Sequence, residues 1–197
     1  MFTGIIETLG WVKEIEKELG NLNIWVESPV SKELKIDQSM AHNGVCLTVV
    51  SLGNNCHKVT AVEETISKTN LGLLKPGSLL NLERCMLANG RFDGHIVQGH
   101  VDDVATCIKV EEKSGSWLFY FRLNQTNQKN LIVNKGSICI NGVSLTVVEI
   151  TDMEFYVTII PYTFEHTQFK ELKEGDKVNI EFDILGKYVL NQIASRL

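Results

Sequence analysis

With 197 residues, a net charge of −5 and a pI of 5.6, the chain is long enough for one or two domains and is mildly acidic. This charge argues against a nucleic-acid partner, because non-specific affinity for phosphates depends on lysine and arginine side chains. No run of about 18 apolar residues is present, so the sequence predicts no membrane-spanning helix and no membrane partner.

The first predicted element is a β-hairpin over residues 5–28. Its second strand carries Leu22, Ile24 and Val26 at every second position, which is typical of a strand with one buried face. The turn of this hairpin is predicted at Gly20-Asn21, since both residue types tolerate turn conformations.

Two strands, at 39–42 and 45–51, are predicted around the dipeptide Asn43-Gly44. Asn-Gly is a strong hairpin signal because both residues accept the positive φ of a type I′ turn. The remaining elements predicted in this half are a helical turn at 29–34 and strands at 59–62 and 79–84.

The second half of the chain repeats the first. The segment that begins at Asn43 returns 98 residues later at Asn141, with Cys46 changed to Ser144 within the first eight residues. Residues 41–83 match the segment 98 positions later at 16 of 43 positions without a gap. Unrelated sequences would match at roughly three of them. The chain therefore contains two copies of one unit.

Each copy contains about six short antiparallel strands and few helices, which is typical of a small closed barrel. The predicted fold is all-β, with two homologous six-stranded Greek-key β-barrels and a C-terminal α-helix. We expect an N-terminal domain at residues 1–95 and a C-terminal domain at residues 96–182. The second copy is predicted as a hairpin at 101–121, a helical turn near 125–132 and strands at 137–140, 143–150, 156–160 and 177–182.

Residues 183–197 have no counterpart in the first copy and are predicted as an amphipathic helix. Asp183 is a suitable N-cap, and pairs of residues such as Tyr188 and Val189 recur at helical spacing. This helix is expected to pack on a barrel or on copies of itself in an oligomer.

Small polar residues lie at alternate positions of otherwise apolar strands in both copies. Two interpretations are open: these side chains line a ligand site on one face of the strand, or they are small core residues that bond to the backbone. The sequence shows no base next to Cys46 that would lower its pKa. The residues are Ser39, Cys46 and Thr48 in the first copy and Ser137, Ser144 and Thr146 in the second.

Neither a metal site nor a disulfide is predicted. His95 and His100 lie near Asp93, Asp102 and Asp103, but their spacing matches no standard set of metal ligands. The N-terminus lacks a secretory signal, and the five cysteines include no CxxC pair, which predicts reduced thiols and a cytoplasmic protein.

Several motifs, in order and spacing along the whole chain, resemble those of the riboflavin synthase family. They are Met1-Phe2-Thr3-Gly4-Ile5-Ile6-Glu7, the doubled N-G-V-C/S-L-T-V at 43–49 and 141–147, Thr69-Asn70-Leu71-Gly72, Gly94-His95-x-x-x-Gly99-His100-Val101 and Ile160-Pro161-x-Thr163. The resemblance implies a homotrimer assembled by the C-terminal helix. It also implies a dismutation of two 6,7-dimethyl-8-ribityllumazine molecules to riboflavin and 5-amino-6-ribitylaminouracil.

In this family the active site holds two lumazines between the N-terminal barrel of one chain and the C-terminal barrel of its neighbour, and uses no cofactor. An association with lumazine synthase is a further partner that the resemblance implies. Carried over by motif, the first pocket comprises Gly4, Ile5, Ile6, Cys46, Leu47, Thr48, Thr60, Ala61, Val62, Glu63, Glu64 and Thr65. The second comprises Gly99, His100, Val101, Lys135, Ser144, Leu145, Thr146, Ile160, Pro161, Tyr162, Thr163, Phe164 and Glu165, and Asn141 is a further substrate-binding candidate.

The expected chemistry needs a proton removed from the C7 methyl group of one lumazine and a nucleophile added at C7 of the other. We expect His100 to transfer the proton, and Ser39, Cys46 and Thr48 to position or activate the nucleophile. The family pattern often has Asp where this chain has Asn141. Either position 141 only forms hydrogen bonds, or Asp183 or His100 carries its role.

The rival interpretation is a non-catalytic chromophore carrier, the lumazine protein of luminous bacteria, with the same duplicated barrel. Carriers of that type tend to lack the polar pocket residues in one or both copies. Their presence in both copies here favours the enzyme.

Overall fold

The computed structural model describes residues 1–124 and 126–195 and confirms the two closed six-stranded antiparallel barrels. In the first, the N-barrel, the strand order is β1-β2-β5-β4-β3-β6, and in the second, the C-barrel, it is β10-β11-β8-β7-β12-β9. The N-barrel strands are β1 (Thr8–Glu18), β2 (Asn21–Glu27), β3 (Ser39–His42), β4 (Val45–Leu52), β5 (Cys56–Ala61) and β6 (Leu79–Arg84). The C-barrel strands are β7 (Asp103–Lys113), β8 (Ser116–Arg122), β9 (Ser137–Ile140), β10 (Val143–Thr151), β11 (Glu154–Ile159) and β12 (Lys177–Phe182).

The first hairpin begins later than predicted. β1 starts at Thr8 rather than at residue 5, because the chain before it leaves the barrel and runs beside the segment that joins the two barrels. Phe2 and Val97 form an antiparallel bridge there, with hydrogen bonds of 2.7 and 3.1 Å between their backbone atoms.

Each barrel encloses its own apolar core. The N-barrel core is mainly aliphatic, whereas the C-barrel core is built around five phenylalanine rings that are almost completely buried. Burial of each such ring contributes about 1.5–3 kcal/mol to folding. These rings belong to Phe119, Phe121, Phe155, Phe169 and Phe182.

The helices are short, except for the last. The α-helices are α1 (Glu63–Lys68), α2 (Pro161–His166) and α3 (Ile184–Ala194), and 3₁₀ turns occur at Pro29–Glu33, Asn70–Leu73, Thr126–Leu131 and Gln168–Lys170. The Asp183 side chain caps α3 by accepting a hydrogen bond from Leu185 N at 3.0 Å, as predicted. Residue 125 and residues 196–197, which the predicted helical segments included, lie outside the described residues. None of the helices that the structure describes is long and apolar enough to cross a membrane.

The two Asn-Gly turns pack against each other and join the barrels. Gly44 has a φ of +77°, and a Cβ atom on it would lie 2.7 Å from the backbone N of Gly142. Gly142, with a φ of +82°, has the equivalent contact with Gly44 at 2.8 Å. Such close backbone contact excludes any side chain, which explains why both copies carry glycine here.

Buried asparagines reinforce this contact with approximate two-fold symmetry. Asn81 Nδ2 of the N-barrel donates to the Asn141 carbonyl oxygen at 2.9 Å, and Asn179 Nδ2 of the C-barrel donates to the Asn43 carbonyl oxygen at 2.8 Å. Within each barrel, the side-chain oxygen of the turn asparagine accepts a backbone N–H: Asn43 Oδ1 accepts from Asn81 N, and Asn141 Oδ1 accepts from Asn179 N. In the folded chain, the two copies of the repeat are therefore related by a pseudo-two-fold axis that passes between the Asn-Gly turns.

Candidate active site

The small polar residues of β4 lie on the outer wall of the N-barrel. Val45, Leu47 and Val49 are buried in the barrel, so the intervening Cys46 and Thr48 face outward. This confirms the predicted alternation of polar and branched side chains. It also places Leu47, a predicted pocket residue, on the core side.

The second copy has the same arrangement on β10. Ser144 is half-buried and Thr146 is exposed, while Val143 and Val147 are buried. Ser39 pairs with Thr48 across β3 and β4, and Ser137 pairs with Thr146 across β9 and β10. Each barrel therefore presents a hydroxyl-bearing wall to its surroundings.

Two segments that precede the barrels cover these walls, and they are exchanged between the copies. Leading segment 1, residues 1–7, lies against the C-barrel, where Ser144 N donates to the Gly4 carbonyl oxygen at 2.7 Å. Leading segment 2, residues 96–102, lies against the N-barrel, where Cys46 N donates to the Gly99 carbonyl oxygen at 2.9 Å.

Side-chain packing follows the same exchange. Ile6 packs against the C-barrel core and Val101 against the N-barrel core. A small apolar cluster of Phe2, Ala41, Val97 and Cys139 fills the space between the barrels, with Cys46 packed against it.

The grouping of the predicted residues by sequence copy was therefore wrong. The residues around Cys46 lie beside Gly99 rather than Gly4, and those around Ser144 lie beside Gly4 rather than Gly99. The sequence repeat showed which residues correspond, but not which barrel each leading segment contacts. We define the N-site as Ser39, Cys46, Thr48, Thr60–Thr65 and Gly99–Val101, and the C-site as Gly4–Ile6, Ser144–Thr146 and Ile160–Glu165.

The segments that follow β5 and β11 border these walls. Ala61 is buried at the end of β5, and Glu63 and Glu64 begin α1, where Glu64 pairs with Lys68 at 2.7 Å. In the C-site, Pro161–His166 forms α2, and the Phe164 ring stacks on Trp117 at 3.9 Å. Exposed apolar side chains lie mainly at the C-site, which has Ile5, Ile160 and Tyr162, whereas the N-site has Val62. An exposed apolar patch of this kind marks a binding surface on a soluble protein.

Lys135 lies beside the β10 wall, whereas Asn141 lies in the contact between the barrels. Lys135 is exposed in the turn before β9, with a φ of +67°, and its N–H donates to the Val147 carbonyl. Asn141 is 3% exposed in the contact between the barrels, where its Nδ2 donates to Gln168 Oε1 at 2.9 Å. Its Oδ1 accepts from Asn179 N at 2.7 Å. The geometry thus assigns the Asn141 side chain to barrel pairing.

His95 is a site residue that the sequence reasoning missed. Its Nδ1 lies 2.7 Å from Ser144 Oγ, and its backbone N donates to the Thr3 carbonyl oxygen at 3.1 Å. Burial lowers the pKa of His95, and nearby Asp183 opposes this shift only in part. The lowered pKa keeps the ring neutral, as a hydrogen-bonding partner for Ser144. The signal in the sequence was the motif Gly94-His95-x-x-x-Gly99-His100-Val101. The structure explains its first glycine, because a Cβ atom on Gly94 would lie 2.1 Å from the Thr3 carbonyl oxygen.

The predicted catalytic groups of the N-site are exposed or half-buried. His100 is exposed, and its backbone N–H donates to the Glu181 carboxylate on β12 at 2.9 Å. Burial raises the pKa of the Cys46 thiol from its ordinary value of 9.0, and a hydrogen bond with Ser39 opposes the shift. Cys46 is therefore a thiol at neutral pH rather than a thiolate.

Only some of the surface cavities lie at the two sites. An open cleft of about 590 Å³ includes Ile5 and Ser39 in its lining. A second, of about 440 Å³, lies between the turns at Gly77 and Lys173 and is lined by no residue of either site. The position of the polar residues, rather than cavity size, identifies the sites. In the described part of the chain, no group of three or more His, Cys, Asp or Glu side chains is arranged to hold a metal ion.

Comparison with known proteins agrees with this duplicated architecture. The family model described as "Lumazine binding domain" matches twice, at residues 3–85 and 98–183. The riboflavin synthase of Bacillus subtilis (strain 168) is 40% identical over 190 residues, which cover 96% of this chain and 88% of that protein. The riboflavin synthase of Saccharomyces cerevisiae is 37% identical over 205 residues, which cover 98% and 86%.

Solved structures show the same fold. The crystal structure of LumP complexed with riboflavin superposes with a TM-score of 0.86 at 24% identity and covers 92% of this chain and 99% of that one. The complex of LumP with 6,7-dimethyl-8-(1'-D-ribityl) lumazine superposes with a TM-score of 0.84. The family model matches each half of the chain once, and the alignments with the bacterial and yeast enzymes cover nearly the whole chain. This chain therefore belongs to the riboflavin synthase family and is built from two lumazine-binding domains.

Proposed function

We propose that the chain converts two molecules of 6,7-dimethyl-8-ribityllumazine into one riboflavin and one 5-amino-6-ribitylaminouracil, by transfer of four carbons from one lumazine to the other. The observation that carries this proposal is the pair of equivalent walls, at Cys46 and Ser144, each covered by the leading segment of the other copy. Two similar sites suit a reaction in which both reactants are the same molecule.

The two sites of one chain are not enclosed, which supports an active site shared between chains. Thr48, Thr146 and His100 are exposed in the single chain. An N-site of one chain that faces the C-site of another would bury both lumazines and bring their rings together. Holding two reactants in this way can lower a barrier by roughly 7–11 kcal/mol.

We place His100 as the group that accepts the methyl proton, and Ser39 and Thr48 as groups that orient the nucleophile. Cys46 joins them as a hydrogen-bonding thiol, because its raised pKa disfavours a thiolate. In the C-site, the neutral His95 orients the Ser144 hydroxyl. The ribityl chains are assigned to the polar residues after β5 and β11, and these are Glu64, Thr65, Thr163 and Glu165.

Assembly into a homotrimer through α3 is part of the proposal. Four apolar side chains of α3 are more than half exposed in the single chain, which supports contact with other copies. They are Leu185, Tyr188, Val189 and Ile193. We further propose that residues 1–95, 96–182 and 183–197 act as two lumazine-binding domains and one trimerisation helix, in a cytoplasmic enzyme that needs no cofactor and associates with lumazine synthase.

The test is a stoichiometric assay with the pure protein and 6,7-dimethyl-8-ribityllumazine. Loss of lumazine absorbance and gain of riboflavin absorbance should follow a ratio of two to one, in buffer without added metal or cofactor. Tight lumazine binding without riboflavin formation would instead indicate a chromophore carrier.

A further inference from the structure

Two buried carboxylates occupy equivalent positions in the two barrels and belong to neither site wall. Glu83 on β6 is 6% exposed and Glu181 on β12 is 3% exposed. They are 98 residues apart, which is the offset of the internal repeat. An ionised side chain is rarely buried without several hydrogen-bond donors around it.

Each carboxylate finds these donors in the leading segment that passes over its own barrel end. Glu83 accepts from Thr3 N at 2.7 Å, Thr3 Oγ1 at 2.8 Å and Gly4 N at 3.0 Å. Glu181 accepts three backbone N–H groups, from Gln98 at 2.6 Å and from Gly99 and His100 at 2.9 Å. Hydrogen bonds from N–H groups to carboxylates are among the stronger ones in proteins.

The next contact of each leading segment is with the opposite barrel. Gly4, held by Glu83 of the N-barrel, accepts the N–H of Ser144 in the C-barrel. Gly99, held by Glu181 of the C-barrel, accepts the N–H of Cys46 in the N-barrel. Each carboxylate is therefore linked, through one glycine residue, to a site wall on the other half of the molecule.

The fit between segment and wall leaves little room for adjustment. A Cβ atom on Gly4 would lie 2.6 Å from the Cβ of Ser144, and one on Gly99 would lie 2.5 Å from the Cβ of Cys46. Both glycines have φ near +80°, with values of +78° and +82°. A small shift of a leading segment would consequently move the site wall or open a gap beside it.

Ion pairs restrain the far end of each segment in the same way. Arg84, the residue after Glu83, pairs with Glu7, and Lys187 of α3 pairs with Asp102 at 2.5 Å. The Asp102 carboxylate also accepts the N–H of Phe182, the residue after Glu181. In each leading segment, the buried glutamate carboxylate therefore holds the middle of the segment, and the ion pair holds its last residue.

We infer that Glu83 and Glu181 are positioning residues that act crosswise: Glu181 of the C-barrel sets the geometry of the N-site, and Glu83 of the N-barrel sets the geometry of the C-site. The inference depends on the proposed function only for its ligand measurements. The geometry of each site therefore depends on a carboxylate that belongs to the other barrel.

The first test needs no ligand and compares Glu83→Gln and Glu181→Gln in the full chain by hydrogen exchange and mass spectrometry. A glutamine amide has one acceptor oxygen and cannot accept from all three donors. Glu181→Gln should speed exchange about tenfold or more in residues 96–102 and at the start of β4, and leave residues 1–7 and the start of β10 unchanged. Glu83→Gln should show the reverse pattern.

The second test uses riboflavin as the probe, with backbone amide NMR signals of Cys46 and Ser144 as reporters of the two sites. Glu181→Gln should weaken riboflavin binding at the Cys46 reporter about tenfold and leave the Ser144 reporter near its wild-type response. Glu181→Asp, which keeps the charge, should recover part of the loss. The matched control is Glu154→Gln, because Glu154 is an exposed partner of Arg122 on the outside of the C-barrel.

Equal effects of Glu181→Gln on both reporters, or a larger effect on residues 1–7, would overturn the crosswise assignment. If Glu83→Gln does not fold, Thr3→Val removes the hydroxyl donor to Glu83, together with a 3.3 Å contact to Ile5 N, and should show the same pattern at lower amplitude. If wild-type protein gives no riboflavin response at either reporter, the proposed function fails, while the exchange measurement still decides the positioning role.

Discussion

Nε2 of His42 lies 2.8 Å from Nε2 of His57 inside the N-barrel, where both side chains are almost completely buried. His42 Nδ1 donates to the Met40 carbonyl oxygen at 3.2 Å, so its Nε2 accepts the proton of His57 Nε2. The His57 Nδ1 then accepts from Ser31 Oγ at 2.8 Å. This directed chain requires both imidazoles to be neutral.

The buried histidine pair predicts a loss of stability in acid. Burial, reinforced for His42 by the neighbouring His57, lowers the pKa of His42 to about 3, and burial lowers that of His57 to about 4, from 6.5 in both cases. The unfolded chain therefore binds protons first as the pH falls below about 6.5. The free energy of unfolding should be highest above this pH and fall by several kcal/mol, to order of magnitude, down to about pH 3.

Urea unfolding at several pH values checks this prediction. The C-barrel carries Ile140 and Phe155 at the equivalent positions, so the double variant His42→Ile, His57→Phe copies a core that already exists in this chain. It should flatten the pH dependence between pH 6.5 and 3. An unchanged slope would show that carboxylates elsewhere cause the acid sensitivity.

The contact between the barrels is satisfied on one side and incomplete on the other. In one half, Asn141 Nδ2 donates to Gln168 Oε1. In the other half, Asn70 replaces that glutamine, and among the described residues Asn43 Nδ2 and Asn70 Oδ1 are buried without a hydrogen-bond partner. We predict that Asn70→Gln raises the free energy of unfolding by about 1 kcal/mol, because the longer side chain can reach Asn43.

The reciprocal change is the matched control. Gln168→Asn should lower the free energy of unfolding by about 1–3 kcal/mol, since it leaves Asn141 Nδ2 buried and unpaired. Denaturant midpoints of the two variants and the wild type provide the measurement. A lower free energy of unfolding for Asn70→Gln, or a higher one for Gln168→Asn, would contradict a stabilising role for the hydrogen bond between the turn asparagine and glutamine.

Cys46→Ser should retain activity within about tenfold of the wild type. The raised pKa of Cys46 makes a thiolate nucleophile unfavourable, and serine already occupies the equivalent position 144 in the other copy. Steady-state assays of riboflavin formation test this. A loss of about 10⁴-fold with intact riboflavin binding would restore Cys46 as a covalent nucleophile.

His100→Gln should lower the single-turnover rate of riboflavin formation by roughly 10²–10⁴-fold, the usual contribution of a general base. Glutamine keeps a hydrogen-bonding group at the exposed end of leading segment 2 but cannot accept a proton. Lumazine affinity, measured by fluorescence titration, should change much less than the rate. An unchanged single-turnover rate would remove His100 from the proton transfer.

A charge on the apolar face of α3 should separate the subunits. Val189 is 58% exposed in the single chain, and Val189→Asp would place a carboxylate in the proposed contact between copies. Sedimentation should show a trimer for the wild type and monomers for this variant, with riboflavin formation lost in parallel. Asn191→Asp, an added charge at another exposed position of α3, should leave both properties intact. Full activity of monomeric protein would contradict an intersubunit site.

The strands, their faces and their duplication were predictable from the sequence. Alternation along residues 45–51 reports which side chains face the core, and the doubled Asn-Gly dipeptide reports two hairpins, because both are properties of neighbouring residues. The helix from Asp183 onward follows from the same local rules. The site residues were carried over from motifs that resemble those of the riboflavin synthase family, and they stay a prediction.

Contacts between distant parts of the chain were not predictable in this way. Which wall Gly4 covers depends on the bridge between Phe2 and Val97 and on how closely Gly44 approaches Gly142, and both arise from the packing of one folded barrel on the other. The place of His95 beside Ser144 has the same origin, because the two residues are 49 positions apart in the chain. Local periodicity determined each barrel and the identity of its wall, whereas only the tertiary structure decided how the leading segments complete the sites.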